Sequence, residues 1–407
     1  MTCEVAVMNK HGVALAADSA LSVSDGQKVY HTAEKLFKIA EAPIAIMAYG
    51  CAEIMGVPWE LVIKSYIRQL GERRFPAAEQ YGEDFLRFVE ASETLFPASV
   101  QRDWFRRIVE ALWTTDIRDV WRKKLDGPPR NHPHKASTLL LQTIKEALAA
   151  FKGVAPIDQL GHAYGERILS EYAEVLKELE TRLFHDVHLN DEISDALRLL
   201  VKLTHTHQWF HPDNLTGIIV AGFGEAELFP SLYIYNVGTV AAARLRWLKV
   251  DEAHVDREHP VIVIPFAQTD MIDLFCTGIY PAMKERLVDI IVKCLPAPTG
   301  AHKAGKSARA QAQETAGAVR EILEKEFQEK YTLPLISAVD VLSRFELAKM
   351  AEALISLTAF KARMSTQQQE TVGGPIDVAV ISKGEGFAWV KNKNMLKRED
   401  AAGFLMP

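Results

Sequence analysis

Cysteine is scarce and scattered: four in 407 residues, Cys3, Cys51, Cys276 and Cys294, with no CxxC pair. That spacing suggests neither a zinc site nor a disulfide scaffold and suits a reducing cytoplasm. A surplus of basic charge is missing too, with 47 Lys and Arg against 53 Asp and Glu. Without a basic footprint for phosphate backbones, nucleic acid is not an expected partner. No segment approaches the roughly 20 apolar residues that cross a bilayer, and no basic stretch leads into an apolar signal core, so neither membrane insertion nor export is expected. Internal repeats and low-complexity tracts are absent as well. What remains is ordinary globular composition, 48% apolar and 25% charged, in a chain long enough for about two or three domains or one core with large insertions.

The pattern along the chain changes period several times. Val5 to Met8, Gly12 to Ala17, Leu36 to Ile39 and Ile44 to Ala48 are short apolar runs between turn signals, and Asn9-Lys10-His11-Gly12 reads as a hairpin turn. From Trp59 to about residue 205 apolar residues recur at helical spacing, as in Trp59, Val62, Ile63, Tyr66 and Leu70, and again in Trp104, Ile108, Leu112, Trp113, Ile117 and Trp121. The tryptophans are most simply a buried face or an oligomer contact. Strand character returns at Thr216 to Ala221, Leu232 to Asn236, Val240 to Trp247 and Val261 to Pro265. Met271 to Leu295 reads as helix, and Pro296 to Ala310 as an exposed linker. Ser343 and Glu346 form an S-x-x-E capping box ahead of a helix. Ile376 to Ser382 and Phe387 to Lys391 close the chain as a strand pair after Gly373-Gly374.

The first strands carry the chemistry. If Met1 is removed, Thr2 holds a hydroxyl and a free α-amine on one residue, and an α-amine titrates near about 7.7 to 8.0, so it can serve as the hydroxyl's own base. Asp18 ends the very apolar second strand, where an acid must be solvated or paired, and Lys35 at the next strand is its candidate partner. A lysine near Thr2 would hold the amine's proton affinity down, with Asp18 fixing the lysine in place. Cys3, the neighbouring residue, points away from Thr2 on a strand and reads as a packing residue. His205, His207 and His211, with His185 and His188 upstream, read as a polar loop rather than a metal site, and no cofactor or metal is expected.

Thr2-Cys3-Glu4-Val5-Ala6-Val7, the hairpin and Gly12-Val13-Ala14-Leu15-Ala16-Ala17-Asp18-Ser19 resemble the start of proteasome β-subunits and bacterial HslV-type peptidases, members of the N-terminal nucleophile (Ntn) hydrolases. The resemblance covers about half of the chain, resuming at Thr216 to Asn236 and Ser343 to Lys391. It implies an α+β fold, the four-layer αββα Ntn-hydrolase sandwich, with core segments 1–53, 213–295 and 336–407, a helical insertion 54–212, and a linker with helical insertion at 296–335. It implies Thr2, Asp18 and Lys35 as the active centre and a backbone oxyanion hole at Tyr49 or Gly50, in Ile46-Met47-Ala48-Tyr49-Gly50, where Tyr49 stands in place of a usual glycine. The family's supporting serine is missing near Gln268-Thr269-Asp270; Thr269, Asp270, Glu370 and Thr371, together with Ser19, are the candidate supporting groups. The implied activity is a cytoplasmic threonine-type peptidase or amidohydrolase working through an acyl-enzyme. A homo-oligomer, in the form of a ring, and an ATP-dependent unfoldase are the partners the family suggests. An inactive assembly subunit and an amidase for small-molecule amides are the alternatives.

Overall fold

Asn9 shows how local chemistry starts the fold. Its side-chain oxygen accepts from the His11 amide at 2.8 Å, shaping the first hairpin, and its amide nitrogen donates to Val339 O and Leu342 O at 2.8 and 2.9 Å, tying that hairpin to a distant helix end. Gly12 completes the turn, since a Cβ there would fall 2.4 Å from the Ile381 carbonyl oxygen. The computed structural model describes residues 3–23, 28–30, 33–125, 127–294, 305–364 and 373–393.

The strands are β1 (Cys3–Asn9), β2 (Gly12–Ala17), β3 (Leu21–Val23), β4 (Lys28–Tyr30), β5 (Leu36–Lys38), β6 (Ile44–Gly50), β7 (Glu53–Ile54), β8 (Val57–Pro58), β9 (Thr216–Gly222), β10 (Ser231–Ala241), β11 (Arg244–His254), β12 (Val261–Ala267), β13 (Asp377–Ser382) and β14 (Gly386–Lys391). Ten of them build two five-stranded antiparallel sheets, ordered β12-β1-β2-β13-β14 and β11-β10-β9-β6-β5. The protein is thus a mixed α and β structure with antiparallel sheets. The small hairpin β3–β4, between Asp18 and Lys35, is absent from the sequence reading.

Period-two alternation gives each sheet two apolar faces. Ala6, Met8, Val13 and Leu15 of the first sheet share one core with Ala45, Met47, Ile219, Ala221 and Leu232 of the second. The opposite face of the first sheet, with Val5, Val7, Ala14 and Ala16, packs on Leu347, Ala351, Leu354 and Ile355 of the helix Arg344–Met364. That helix begins as its capping box predicts, with Ser343 N donating to Glu346 Oε2 at 3.0 Å. The opposite face of the second sheet, with Ile44, Ile46, Ile218 and Val220, packs on Val62, Ile63, Tyr66 and Phe85 of the helices Trp59–Leu70 and Ala78–Ala91.

The long helical stretch therefore contains two kinds of structure. Its first two helices cover a sheet, whereas Phe105 onward makes a core of its own around Trp113, Trp121, Ile144 and Leu179 that meets the strands at Ala241 and Ala242. Trp104 is only partly buried, beside Arg107.

Three sequence expectations need correcting. Val240 to Trp247 is not one strand: the chain reverses at Ala242 and Ala243, both at positive φ (47° and 54°), between β10 and β11. Tight hairpins normally place Asn or Gly there; here Tyr172 Oη accepts from Ala242 N at 2.8 Å and Gln101 Oε1 from Ala243 N at 2.9 Å. Met271 to Leu295 is two helices, Asp270–Thr277 and Pro281–Cys294, because Gly278 turns left-handed (φ 75°) against the Tyr331 ring. Within the expected linker, Gly305 begins the helix Gly305–Phe327, while 295–304 lie outside the described residues. No helix among the described residues is long and apolar enough to cross a membrane.

Candidate active site

β1 and β2 lie side by side in the first sheet, and β5 belongs to the second, so the end of β2 and the start of β5 meet where the sheets face each other. Lys35, just before β5, reaches into that space. Its Nζ lies 2.5 Å from Asp18 Oδ1 and 3.1 Å from Glu4 Oε1, and all three side chains are buried. Asp18 is held from three further sides: its Oδ1 accepts from Cys3 N at 3.3 Å, its Oδ2 from Gly373 N at 2.9 Å, and its own amide donates to Cys3 O at 3.1 Å. Burial pulls the Lys35 ammonium toward neutrality, but the charges of Glu4 and Asp18 outweigh it and hold Lys35 above the usual lysine range. Lys35 is a fixed cation, not a base, at neutral pH.

Glu4 is the member that sequence reasoning missed. The signal was present: Glu4 stands in a run that is apolar from Val5 to Met8, alternating with Cys3 and Val5, so it shares the inward face with Ala6 and Met8. Cys3 takes the opposite face against the helix layer, where burial, then Glu4, pushes its thiol well above the ordinary range. A thiol so placed is no nucleophile.

Tyr49 and Gly50 end β6. Amide direction alternates along that strand: Ala48 N donates across to Lys35 O at 2.9 Å, and Cys51 N donates to Leu215 O at 3.1 Å on the other side. Gly50 N–H therefore points to the Lys35 side and Tyr49 N–H toward β9. Gly50 needs its residue type, with φ 88° and a Cβ position 2.7 Å from Leu215 O. The Tyr49 ring lies over Gly217, against Phe266 at 5.5 Å, and burial together with the Glu4 charge raises its phenol.

The other singled-out residues spread around this centre. Ser19 Oγ donates to Pro375 O at 2.6 Å, beside a second buried ion pair, Lys393 Nζ to Asp377 Oδ2 at 2.5 Å, whose lysine also donates to Ala33 O. Thr269 precedes the helix that starts at Asp270, and the Asp270 carboxylate faces Lys361 at 3.9 Å rather than Lys35. Thr2, Glu370 and Thr371 lie outside the described residues. His205, expected in a polar loop, is instead buried in the last turn of the helix Asp191–Thr206, its Nδ1 2.8 Å from Val201 O. His211 Nδ1 accepts from Asp213 N.

Neither a family model nor a curated protein matches the chain. Among solved structures it is similar to "Anbu (ancestral beta-subunit)" from Yersinia bercovieri, with 11% identity over 100% of this chain and 97% of that chain and a TM-score of 0.26. It is likewise similar to the protein of "Helical Assembly of the Anbu Complex from Pseudomonas aeruginosa", with 10% identity over 99% of this chain and 93% of that chain and a TM-score of 0.27. Likeness at this level carries no argument about mechanism. It does correct the family expectation: the matching structures are ancestral β-subunits, proteasome-like by name yet distinct from the proteasome β-subunits and HslV-type peptidases that the first nineteen residues resemble.

Proposed function

We propose that the chain is an amide-bond hydrolase whose nucleophile is the hydroxyl of Thr2, freed by cleavage of the bond before it, on an αββα sandwich of the Ntn-hydrolase type. The observation that carries this reading is the buried Lys35, held by Asp18 and Glu4 and joined through Asp18 to the Cys3 amide, the next backbone group after Thr2. The sheet, sheet and two outer helix layers described above support the fold reading.

In the proposed reaction Thr2 Oγ1 attacks the substrate carbonyl carbon and its proton passes to the Thr2 α-amine. The Lys35 cation favours the developing negative charge, and Gly50 N–H is the donor for the carbonyl oxygen. The C–N bond then breaks, the ammonium proton leaves with the departing amine, and an ester joins the acyl group to Thr2. Water adds to that ester, giving its proton to the amine; the C–O bond breaks, Oγ1 recovers a proton, and the acid departs. Substrates are peptides or other amides. Assembly of several copies belongs to the same reading, supported by Phe345, Phe360 and Met364 exposed on the outer helix.

Intact mass and electrophile labelling test it. The expected results are a mature chain starting at Thr2 and a Thr2→Ala variant that stays folded but loses amide hydrolysis and labelling by a threonine-directed electrophile. A retained Met1, or labelling that moves to Cys3, would refute it.

A further inference from the structure

We propose that Thr216 is a positioning residue for the oxyanion donor: its hydroxyl holds Cys51 in place and so keeps the Gly50 N–H turned to the Lys35 side. This role rests on the reading of Gly50 given above. Gly50 sits at φ 88°, yet glycine takes positive and negative φ about equally well, so nothing in Gly50 itself keeps its amide in one direction. The hold must come from its neighbours. Before it, Ala48 N is bonded to Lys35 O across the strand pair; after it, β6 has ended and Cys51 has to be fastened separately.

Cys51 is fastened on both sides to the start of β9. Its amide donates to Leu215 O at 3.1 Å, and its carbonyl oxygen accepts from Thr216 Oγ1, also at 3.1 Å. Thr216 is the ladder partner of Gly50, its Cα 3.6 Å from where a Gly50 Cβ would fall, so its hydroxyl lies beside the residue that follows the donor. The direction of that hydroxyl is set by Trp59, whose Nε1 lies 2.8 Å away. An indole N–H can only donate, so the hydroxyl oxygen is the acceptor there and its one hydrogen is left for Cys51 O. Both side chains belong to residues only 2% exposed. Trp59 also begins the helix Trp59–Leu70, and its backbone amide donates to Ala52 O at 3.0 Å. Two consecutive carbonyls after Gly50 are thus tied, one to the second sheet and one to its helix layer. Valine would suit the start of β9 as a strand residue just as well. What the hydroxyl adds is a Cys51 that cannot turn, and with it a Gly50 that cannot.

The test compares Thr216→Val and Thr216→Ser in the full chain. Two quantities are read: the saturation kinetics of inactivation by a peptide epoxyketone, whose ketone oxygen becomes an oxyanion on attack, and the hydrogen exchange of the Cys51 amide. Thr216→Val should lower the maximal inactivation rate about tenfold and leave the half-saturating concentration unchanged. It should also speed exchange at Cys51 about tenfold. Thr216→Ser, which keeps the hydroxyl, should match the natural chain in both. A maximal rate unchanged in Thr216→Val, or lowered as far in Thr216→Ser, would overturn the positioning role, whatever the exchange shows. A natural chain that the epoxyketone does not inactivate would instead overturn the hydrolase reading itself. Should Thr216→Val not fold, Trp59→Phe removes the indole donor and keeps an aromatic ring; it should lower the maximal rate about threefold, and an unchanged rate there overturns the role.

Discussion

Lys35 and Arg246, two of the buried cations among the described residues, are held in opposite ways. Lys35 lies between two carboxylates and keeps its proton more firmly than a free lysine. Arg246, on β11, has no carboxylate partner among the described residues: its guanidinium donates to Trp209 O at 2.7 Å and lies 4.8 Å from the Phe210 ring centre. Burial pulls Arg246 down to about 10, still charged at neutral pH. Carboxylates fix a charge in place and make it available to chemistry at one point. Backbone carbonyls and a ring instead let a cation fasten one segment to another, here the end of the helical block to the second sheet.

Removing the first cation should have the larger effect. Lys35→Ala leaves Glu4 and Asp18 facing each other in a buried space, so a loss of roughly 3–5 kcal/mol in denaturant unfolding is expected, together with loss of electrophile labelling per folded molecule. If stability falls while labelling persists, Lys35 is structural and the contrast collapses. Arg246→Met should cost roughly 1–3 kcal/mol through the carbonyls it leaves unbonded, with labelling of the folded fraction unchanged. A labelling defect there would show that the clamp and the ionic centre are coupled.

The smallest effect is one of pH. His205 lies beside Arg246, and burial, followed by the Arg246 charge, holds its imidazole down at about 3. Its folded value lies below the ordinary value of about 6.5, so below that pH the unfolded chain binds a proton that the folded chain refuses. Stability from this group is therefore complete above about 6.5 and is lost progressively as pH falls toward 3. Thermal unfolding between those limits should show a slope that His205→Leu flattens. An unchanged slope would place the acid sensitivity elsewhere.

The strand runs at 5–8, 12–17, 36–39 and 44–48 were legible because each is a short apolar run bounded by turn residues, and the Ser343 capping box because its chemistry is confined to four residues. Asp18 and Lys35 were legible as a pair since an acid after an apolar strand needs a partner. Glu4 was legible in principle, by alternation, but one acidic residue near a chain start draws little notice. The Ala242–Ala243 reversal was not legible at all. Two alanines carry no turn signal, and the hydrogen bonds that hold them come from Gln101 and Tyr172, more than sixty residues upstream.

By itself the sequence determined the elements whose causes are local: alternation, turns, caps and the charged residues that strands cannot bury alone. Tertiary structure decided which charges share a space, which amide of β6 points to Lys35, and where the helical block divides. Those outcomes depend on distances between segments brought together by packing, and a one-dimensional pattern contains spacing but no such distances.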